Sequence, residues 1–199
     1  YGDAMDAVAK ASRHWIAAPP GRKIIAGDFT SIEAIIRACI AGEQWEVDAY
    51  RNGVPMYEFM ADKIYGFPAG TVSKETHPAE RQDGKTGELA FGYQGALGAW
   101  LKFDNSGRHE DHRIIEICKA WRAEHPASVD LWYGLGDAAL KAVQTRQLVQ
   151  YRAIGFEIVD EWLTMILPNR KRLWYYNPQI RTKRPQWCQP ETKPECALG

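Results

Sequence analysis

The sequence predicts an α+β fold in which a mainly helical middle lies between short strands. Apolar residues recur with helical spacing through much of the stretch between Ile32 and Val149. Short apolar runs of strand type occur before it, at 23–28, and after it, at 154–167 and 173–176. With 199 residues, 45% hydrophobic and 25% charged, the chain is long and apolar enough for a sizeable core.

The first 43 residues predict a helix, a strand and a second helix. Residues 1–19 carry a helical pattern that stops at Pro19 and Pro20, and residues 23–28 read as a short buried strand. We expect Gly42 to end the second helix. Its apolar residues are spaced i, i+3, i+4, i+7 and i+8, as on one helix face: Ile32, Ile35, Ile36, Cys39 and Ile40.

The remaining elements follow from proline, glycine and apolar spacing. Short helical segments reach Gly66, and Pro78 suits the first turn of a helix that runs to about Tyr93. We read Val159-Asp160-Glu161 as the solvated edge of a strand. The later elements are helices at 110–124 and 128–149 and strands at 154–167 and 173–176, with Pro168-Asn169 as a turn.

The composition indicates a cellular compartment for the chain but does not indicate its partners. Lys plus Arg and Asp plus Glu both number 25, so the net charge argues neither for nor against a polyanionic partner. Cys39 and Cys118 lie on apolar helical faces, which predicts buried thiols and a reducing compartment. No signal peptide or membrane-length apolar run occurs, so we expect a soluble, intracellular chain. A start at Tyr1 indicates a piece of a longer polypeptide.

Asp28 stands where the first predicted strand meets the second helix. It is either a polar residue ahead of a capping box, with Thr30 as N-cap and Glu33 three residues later, or a ligand. Side chains at the carboxyl end of a strand project into a cleft, where a carboxylate can hold a hard divalent cation beside substrate phosphates. A phosphate-binding element elsewhere in the chain would favour the ligand role of Asp28.

Residues 81–96, RQDGKTGELAFGYQGA, supply such an element. Arg81, Lys85, Leu89 and Tyr93 are four residues apart, so on a helix they form one stripe with steps of about 6 Å. An Arg fork and a Lys ammonium one turn apart can bind successive phosphates, and the tyrosine ring can flank a base or sugar. The alternative is an exposed i, i+4 basic pair on a solvated face.

Three glycines in the same helix argue against a merely solvated face. Gly84, Gly87 and Gly92 each cost roughly 1 kcal/mol relative to alanine in a helix interior. An ordinary exposed helix gains nothing from them. A helix that another element approaches closely, or one that must move, can use them.

These two stretches resemble motifs A and B of the family A DNA polymerases, the DNA polymerase I type. Asp28-Phe29-Thr30-Ser31-Ile32-Glu33 resembles motif A, and Arg81, Lys85 and Tyr93-Gln94-Gly95 resemble motif B. Other stretches match in family order: AGE at 41–43, KIYGFP at 63–68, AWRAEHPASVDLW at 120–132 and LPNRKRLWYYNP at 167–178. GELAFGYQGALGAW is most similar to the phage-type branch.

The resemblance implies a template-directed nucleotidyl transferase. A primer 3′-hydroxyl would attack the α-phosphate of a dNTP, with two Mg²⁺ ions about 4 Å apart at the attacking and leaving oxygens. It implies Asp28 and the Phe29 carbonyl as metal ligands, Glu33 as the group that rejects ribonucleotides, and Arg81 and Lys85 as triphosphate ligands. Lys85 would also protonate the leaving pyrophosphate.

The rest of the stripe and the domain layout follow from the same resemblance. Tyr93 would lie beside the templating pocket, and Leu89 would contact the nucleotide where the family often has Phe or Tyr. The implied layout is a helical fingers subdomain inserted between strands of a partial antiparallel palm sheet. It divides the chain into a palm part with motif A at 1–43, fingers at 44–150 with the motif B helix at about 78–94, and a return hairpin with tail at 151–199.

The family's motif C, a His-Asp-Glu turn with the second metal-binding aspartate, is not found in these 199 residues. We therefore expect this stretch to be inactive alone, as an incomplete part of a polymerase. The expected partners are primer-template DNA and dNTP, with no membrane and no implied oligomer. The expected location is the cytoplasm of a bacterial host, with a phage or prophage origin.

Aromatic residues are interleaved with basic ones between 170 and 187, in a stretch without acidic residues. Arg170, Arg172, Arg181 and Lys183 are predicted to follow the DNA backbone, with neighbouring rings that stack or pack. The alternative is a cationic hairpin that covers the palm. His109 and His112, three apart beside acidic residues, suggest either a metal site or, more commonly, solvated side chains.

Two other functional classes compete with the polymerase. One is a non-catalytic nucleic-acid-binding module derived from a polymerase, in which Asp28 is only structural. The other is a different phosphate-handling enzyme, for which the sequence offers no P-loop glycine pattern and no kinase signature.

Overall fold

A computed structural model of the chain describes residues 4–12, 15–29, 31–183 and 195–198. The chain forms two compact units, Tyr1–Ile32 and Glu33–Gly199. The predicted α+β class is confirmed, because the described residues contain eight helices and a four-stranded antiparallel sheet. The predicted domain boundaries near residues 43 and 150 stay predictions. Among the described helices, none combines the length and the apolar character needed to cross a bilayer.

The first unit contains helix α1 (Ala4–Ser12) and an irregular segment. The predicted strand at 23–28 is wrong, because this stretch is irregular and exposed, with Ile25 94% exposed. A strand satisfies its backbone groups by pairing with a neighbour. No strand in the described part of the chain pairs with these residues. The predicted N-cap residue Thr30 lies outside the described residues.

Seven further helices follow, and three of them carry a proline or glycine signal at one end. Pro78 and Pro126 occupy the first turns of two of them, and Gly66 ends another in the left-handed conformation. The helices are α2 (Ile32–Ala41), α3 (Gln44–Arg51), α4 (Met56–Tyr65), α5 (Pro78–Phe91), α6 (Leu97–Phe103), α7 (Asp111–Glu124) and α8 (Pro126–Thr145). The sequence had indicated no helix at α6, which is short and carries a glycine.

Helices α4 to α7 share one hydrophobic core. Trp121 is fully buried, and Trp132 stacks on it with ring centroids 5.9 Å apart. The core consists of Met60, Ile64, Ala90, Phe91, Trp100, Ile114, Ile117, Cys118 and Trp121. Fully burying large apolar side chains stabilises a fold by about 1.5–3 kcal/mol each. This core therefore fixes α5 against three neighbouring helices.

Gly84 permits the close approach of α4 and α5. A Cβ atom at this position would lie 2.1 Å from the backbone oxygen of Tyr57, which no side chain can tolerate. Gly87 differs, since a Cβ there would make ordinary contacts of 3.6 Å or more. The glycine argument from the sequence thus applies to Gly84, where another helix comes close to the backbone.

The buried face of α2 is not the one that its large apolar residues predict. Ile36 is half exposed and Cys39 is exposed, so the prediction of a buried Cys39 is wrong, whereas Cys118 is buried as expected. The buried residues are Arg37, Ala38 and Ala41. Small side chains at 38 and 41 let α2 pack closely, and a charged residue lies among them.

The sheet follows α8 and packs against it. Its strands are β1 (Val149–Tyr151), β2 (Ile154–Val159), β3 (Trp162–Ile166) and β4 (Arg172–Tyr176), in the order β1-β2-β3-β4 with antiparallel neighbours. Ile154, Phe156 and Leu163 pack on alanines of α8. A separate pair, β5 (Ile180–Lys183) and β6 (Glu195–Leu198), follows.

Two predicted boundaries here are wrong. Residues 154–167 form two strands, because Asp160 adopts a left-handed φ of 54° and turns the chain between β2 and β3. Residues 159–161 are therefore mostly this turn rather than a strand edge. Helix α8 ends at Thr145, not near 149, because Arg146 is left-handed (φ 54°) and Val149 pairs with Phe156.

Candidate functional site

Helix α5 separates its residues into a buried face and a more open face. Asp83, Thr86 and Glu88 are buried with the glycines and Phe91, whereas Leu89 is 41% exposed. Arg81 and Lys85 are half buried, and Tyr93, two residues beyond the helix, is 63% exposed. The predicted stripe thus lies on the accessible side of the helix.

Arg81 already has an acidic partner. Its Nε donates a hydrogen bond of 2.5 Å to Oε1 of Glu58 on α4. Its guanidinium also lies over the ring of Tyr57, 5.7 Å from the centroid. Both contacts hold the guanidinium at the α4–α5 junction, so a phosphate that binds Arg81 must share it with Glu58 or displace it.

Lys85 lies one turn beyond Arg81 and is less constrained. Among the described residues, none forms an ion pair with its ammonium group. A half-buried lysine without an anion nearby is suited to accept an external one, because the ammonium keeps its donors available. Leu89, one further turn along, adds an apolar contact at the same face.

Tyr93 and Glu33 meet although 60 residues separate them. The Tyr93 hydroxyl donates a long hydrogen bond, 3.4 Å, to Oε2 of Glu33 in the first turn of α2. Partial burial of the phenol and the neighbouring Glu33 carboxylate raise the pKa of Tyr93. The carboxylate predicted to face the sugar and the ring predicted to flank the template pocket therefore lie side by side.

Asp28 and Phe29 lie in the irregular segment of the first unit, and both are exposed. Helix α2 begins at Ile32, one residue later than the predicted capping box requires, and Ser31 has a left-handed φ of 50°. The pairing of Asp28 with the stripe of α5, and its metal-ligand role, stay predictions.

Of the four residues predicted to follow DNA, Arg172 lies on an open edge strand. Strand β4 pairs only with β3 among the described residues, and all five of its residues are exposed, including Trp174 and Tyr176. Arg172 forms an ion pair with Glu157 and donates to Oγ1 of Thr164 at 3.2 Å. Arg172 is thus partly neutralised within the protein.

The other predicted DNA contacts are dispersed. Arg170 lies in the exposed β3–β4 turn with a left-handed φ of 65°, and Arg181 is exposed on β5. Lys183 ends β5, and only its backbone is described. Residues 184–187, the end of the predicted basic and aromatic stretch, and Cys188 lie outside the described residues.

His109 and His112 do not form a metal site together. His112 is exposed and lies 3.3 Å from Glu110. His109 instead contacts the buried Asp83, with 2.8 Å between Nε2 and Oδ2, and Asp83 also accepts a hydrogen bond from the Tyr65 hydroxyl. The prediction of a solvated side chain is therefore confirmed for His112 and wrong for His109.

A buried cluster of charged residues lies behind the stripe, and the sequence did not predict it. Arg37 NH2 lies 2.6 Å from Oε1 of Glu46 and 3.8 Å from Oε2 of Glu88, and its guanidinium lies 4.9 Å from the centroid of the Trp121 ring. His125 stacks on Trp121 at 3.9 Å. The members of this polar cluster are Arg37, Glu43, Glu46, Glu88, His125 and Ser128.

Burial shifts the pKa of the acidic and basic members in opposite directions. It raises the pKa of Glu46 to about 8 and raises the pKa of Glu88, while the Arg37 charge opposes both shifts. It lowers the pKa of His125 to about 3, so the imidazole is neutral. Both effects have one cause, because a medium with little water disfavours the charged form.

One local signal existed for this cluster. Arg37 lies on the same helix face as Ala34 and Ala41, three residues before it and four after it. Small residues around a charged one indicate a helix that packs closely at that point. No spacing rule links positions 37, 46, 88 and 125, since four different parts of the helical region bring them together.

Comparison with known proteins shows a similarity to a phage protein. No protein-family model matches the chain. The chain is similar to the DNA polymerase of Bacillus phage SP02, with 34% identity over 163 residues, which is 80% of this chain. Those residues correspond to 25% of the phage polymerase, so the chain spans about a quarter of that protein's length.

Proposed function

We propose that this chain is part of a template-directed DNA polymerase of family A, in which residues 28–33 act as motif A and α5 as the motif B helix. The observation that carries the proposal is the 34% identity to a phage DNA polymerase over most of the chain. Further support is that Arg81, Lys85 and Leu89 lie along the accessible side of one helix. Its substrates would be dNTP and primer-template DNA, in the cytoplasm of a bacterial host.

The metal ligands of the proposal fit magnesium. Asp28 offers an exposed carboxylate and Phe29 a backbone carbonyl, and hard oxygen ligands are those that Mg²⁺ prefers. When bound with a second aspartate elsewhere in the protein, Mg²⁺ would stabilise negative charge at the attacking and leaving oxygens. Asp28 would hold the ion at the primer end.

Arg81 and Lys85 would bind and orient the triphosphate. The guanidinium of Arg81 would exchange its bond with Glu58 for a bidentate contact with phosphate oxygens. Lys85 would bind the next phosphate as a point charge and then donate a proton to the leaving pyrophosphate. Leu89 would contact the nucleotide beyond the phosphates.

Glu33 and Tyr93 would select the sugar. The Tyr93 hydroxyl donates a long hydrogen bond to the Glu33 carboxylate, which would restrict the space that a ribose 2′-hydroxyl needs. Glu33→Ala in the full-length protein that contains this chain should therefore admit ribonucleotides. Unchanged sugar discrimination would remove this role from Glu33.

The exposed aromatic edge of β4 and its basic neighbours would follow the DNA. Trp174 and Tyr176 offer rings for stacking, while Arg170, Arg181 and Lys183 would neutralise backbone phosphates together with Arg172. Binding through these residues should weaken as the salt concentration rises.

Primer extension by the full-length protein tests the proposal. Asp28→Asn should remove extension while leaving the Kd for primer-template DNA nearly unchanged, because it removes one metal-binding charge from an exposed position. Asp137→Asn, at an exposed position of α8, is the matched control and should extend normally. Extension by Asp28→Asn at a near wild-type rate would refute the metal assignment, and a wild-type protein that binds DNA without extension would favour a non-catalytic binding module.

A further inference from the structure

Three buried acceptor atoms of the polar cluster have no hydrogen-bond partner. They are Oε2 of Glu46, Oε2 of Glu88 and Nε2 of His125, on side chains with at most 3% exposure. Nε2 of His125 lies 3.8 Å from Oε2 of Glu46 and 3.7 Å from Oε1 of Glu88. Buried polar atoms are almost always paired, so three orphans in one cluster indicate a missing partner, although Oε2 of Glu88 also lies 3.8 Å from Arg37 NH2.

The tautomer of His125 leaves Nε2 as an acceptor that a cation can occupy. Nδ1 lies 2.8 Å from the backbone oxygen of Trp121, and because a carbonyl only accepts, Nδ1 carries the hydrogen. A neutral ring with this hydrogen presents a lone pair at Nε2. Nε2 lies within 3.8 Å of one oxygen of each of two carboxyl groups, and no donor among the described residues bonds to it.

The charges of the polar cluster lead to the same conclusion. Glu43, Glu46 and Glu88 are buried together with a single guanidinium, that of Arg37. If all three carboxylates were ionised, the cluster would carry two uncompensated negative charges, which burial disfavours. One divalent cation would neutralise it.

We propose that Glu46, Glu88 and His125 bind one divalent metal ion of the zinc type. One ligand atom from each residue lies within 4.8 Å of the others. Zinc binds imidazole nitrogen at about 2.0–2.1 Å and carboxylate oxygen at about 2.0–2.2 Å, so two ligands of one ion stand at most about 4.3 Å apart. The two distances from Nε2 of His125, 3.7 and 3.8 Å, meet this limit, and an ion would also draw the two carboxylate oxygens within it. The imidazole favours zinc over magnesium or calcium.

Each proposed ligand side chain also forms a hydrogen bond with another residue, as metal ligands commonly do. The Trp121 carbonyl fixes the His125 ring, the Trp121 indole donates to Glu88 at 2.8 Å, and Arg37 donates to Glu46 at 2.6 Å. The ion would link α3, α5 and the α7–α8 junction. Its role is structural, and it does not depend on the proposed polymerase function.

Refolding with and without zinc tests this proposal. The 199-residue chain would be unfolded with a chelator and refolded in buffer alone, with Zn²⁺ or with Mg²⁺, because a sealed site loads most easily during folding. We expect one equivalent of zinc after desalting and a higher Tm than in buffer alone, with no such effect of Mg²⁺. His125→Gln should lower zinc affinity at least about tenfold.

Two controls separate this site from adventitious binding. His109→Gln alters a histidine that also contacts a carboxylate but lies outside the polar cluster, and it should retain one equivalent. Cobalt(II) in place of zinc should give visible bands without sulfur-to-cobalt charge transfer, since Cys39 and the other thiols are not ligands. A thiolate band, equal retention by His125→Gln, or no zinc and no change in Tm for the wild-type chain would each overturn the proposal.

Discussion

The two faces of α5 differ in the exposure and the partners of their charged side chains. On the open face, Lys85 has no ion-pair partner among the described residues, and Arg81 has Glu58. On the buried face, Glu88 contacts Arg37, Trp121 and His125, and almost none of its side chain is exposed. The open face leaves basic side chains accessible, whereas the charged residues of the buried face contact other parts of the protein. We propose that the same helix supports binding with one set of residues and stability with another.

The largest difference between the faces should be in stability. Arg37→Met leaves Glu46 and Glu88 buried without their cation and should lower the free energy of unfolding by about 3–5 kcal/mol. Lys85→Met, the same replacement on the open face, should change it by no more than about 0.5 kcal/mol. Urea unfolding of the chain in metal-free buffer measures both. Equal losses would contradict the proposed distinction.

Alanine substitutions of two glycines on α5 should change stability less than Arg37→Met does. The two substitutions should differ from each other in direction. Gly84→Ala places a Cβ 2.1 Å from the Tyr57 backbone oxygen and should destabilise the chain by about 1–3 kcal/mol. Gly87→Ala meets only ordinary contacts and should leave stability unchanged or raise it by up to about 1 kcal/mol. Thermal or urea unfolding distinguishes them, and a stabilising Gly84→Ala would show that α4 does not approach α5 so closely.

The smallest effect should come from the contact between Tyr93 and Glu33. Tyr93→Phe removes one long, exposed hydrogen bond, so stability should change by less than about 0.5 kcal/mol. In the full-length protein, discrimination against ribonucleotides should fall by less than about tenfold, because the Glu33 carboxylate loses one hydrogen bond that orients it. Competition between dNTP and rNTP in primer extension measures this. Tyr133→Phe, exposed on α8, is the control, and an equal fall there would deny the contact a role.

The spacing of residues along one helix predicted the open face of α5. It did not predict the polar cluster, which several helices form together. Pro78 and the four-residue spacing of Arg81, Lys85 and Leu89 sufficed to predict the open face of α5. The strand at 23–28 failed because strand formation depends on a partner, which an apolar run does not reveal. The polar cluster was missed because Arg37 and His125 are 88 positions apart, and only the packing of the helices brings them together.

The most direct test of the central claim is the kinetics of Lys85→Ala in the full-length protein. If the open face of α5 binds the triphosphate, kcat/KM for dNTP should fall about ten- to a hundredfold, the loss of one charge-assisted contact. The Kd for primer-template DNA should stay near the wild-type value. Lys102→Ala, exposed on α6, should behave as wild type. A Lys85→Ala protein with the same kcat/KM as Lys102→Ala would contradict the account.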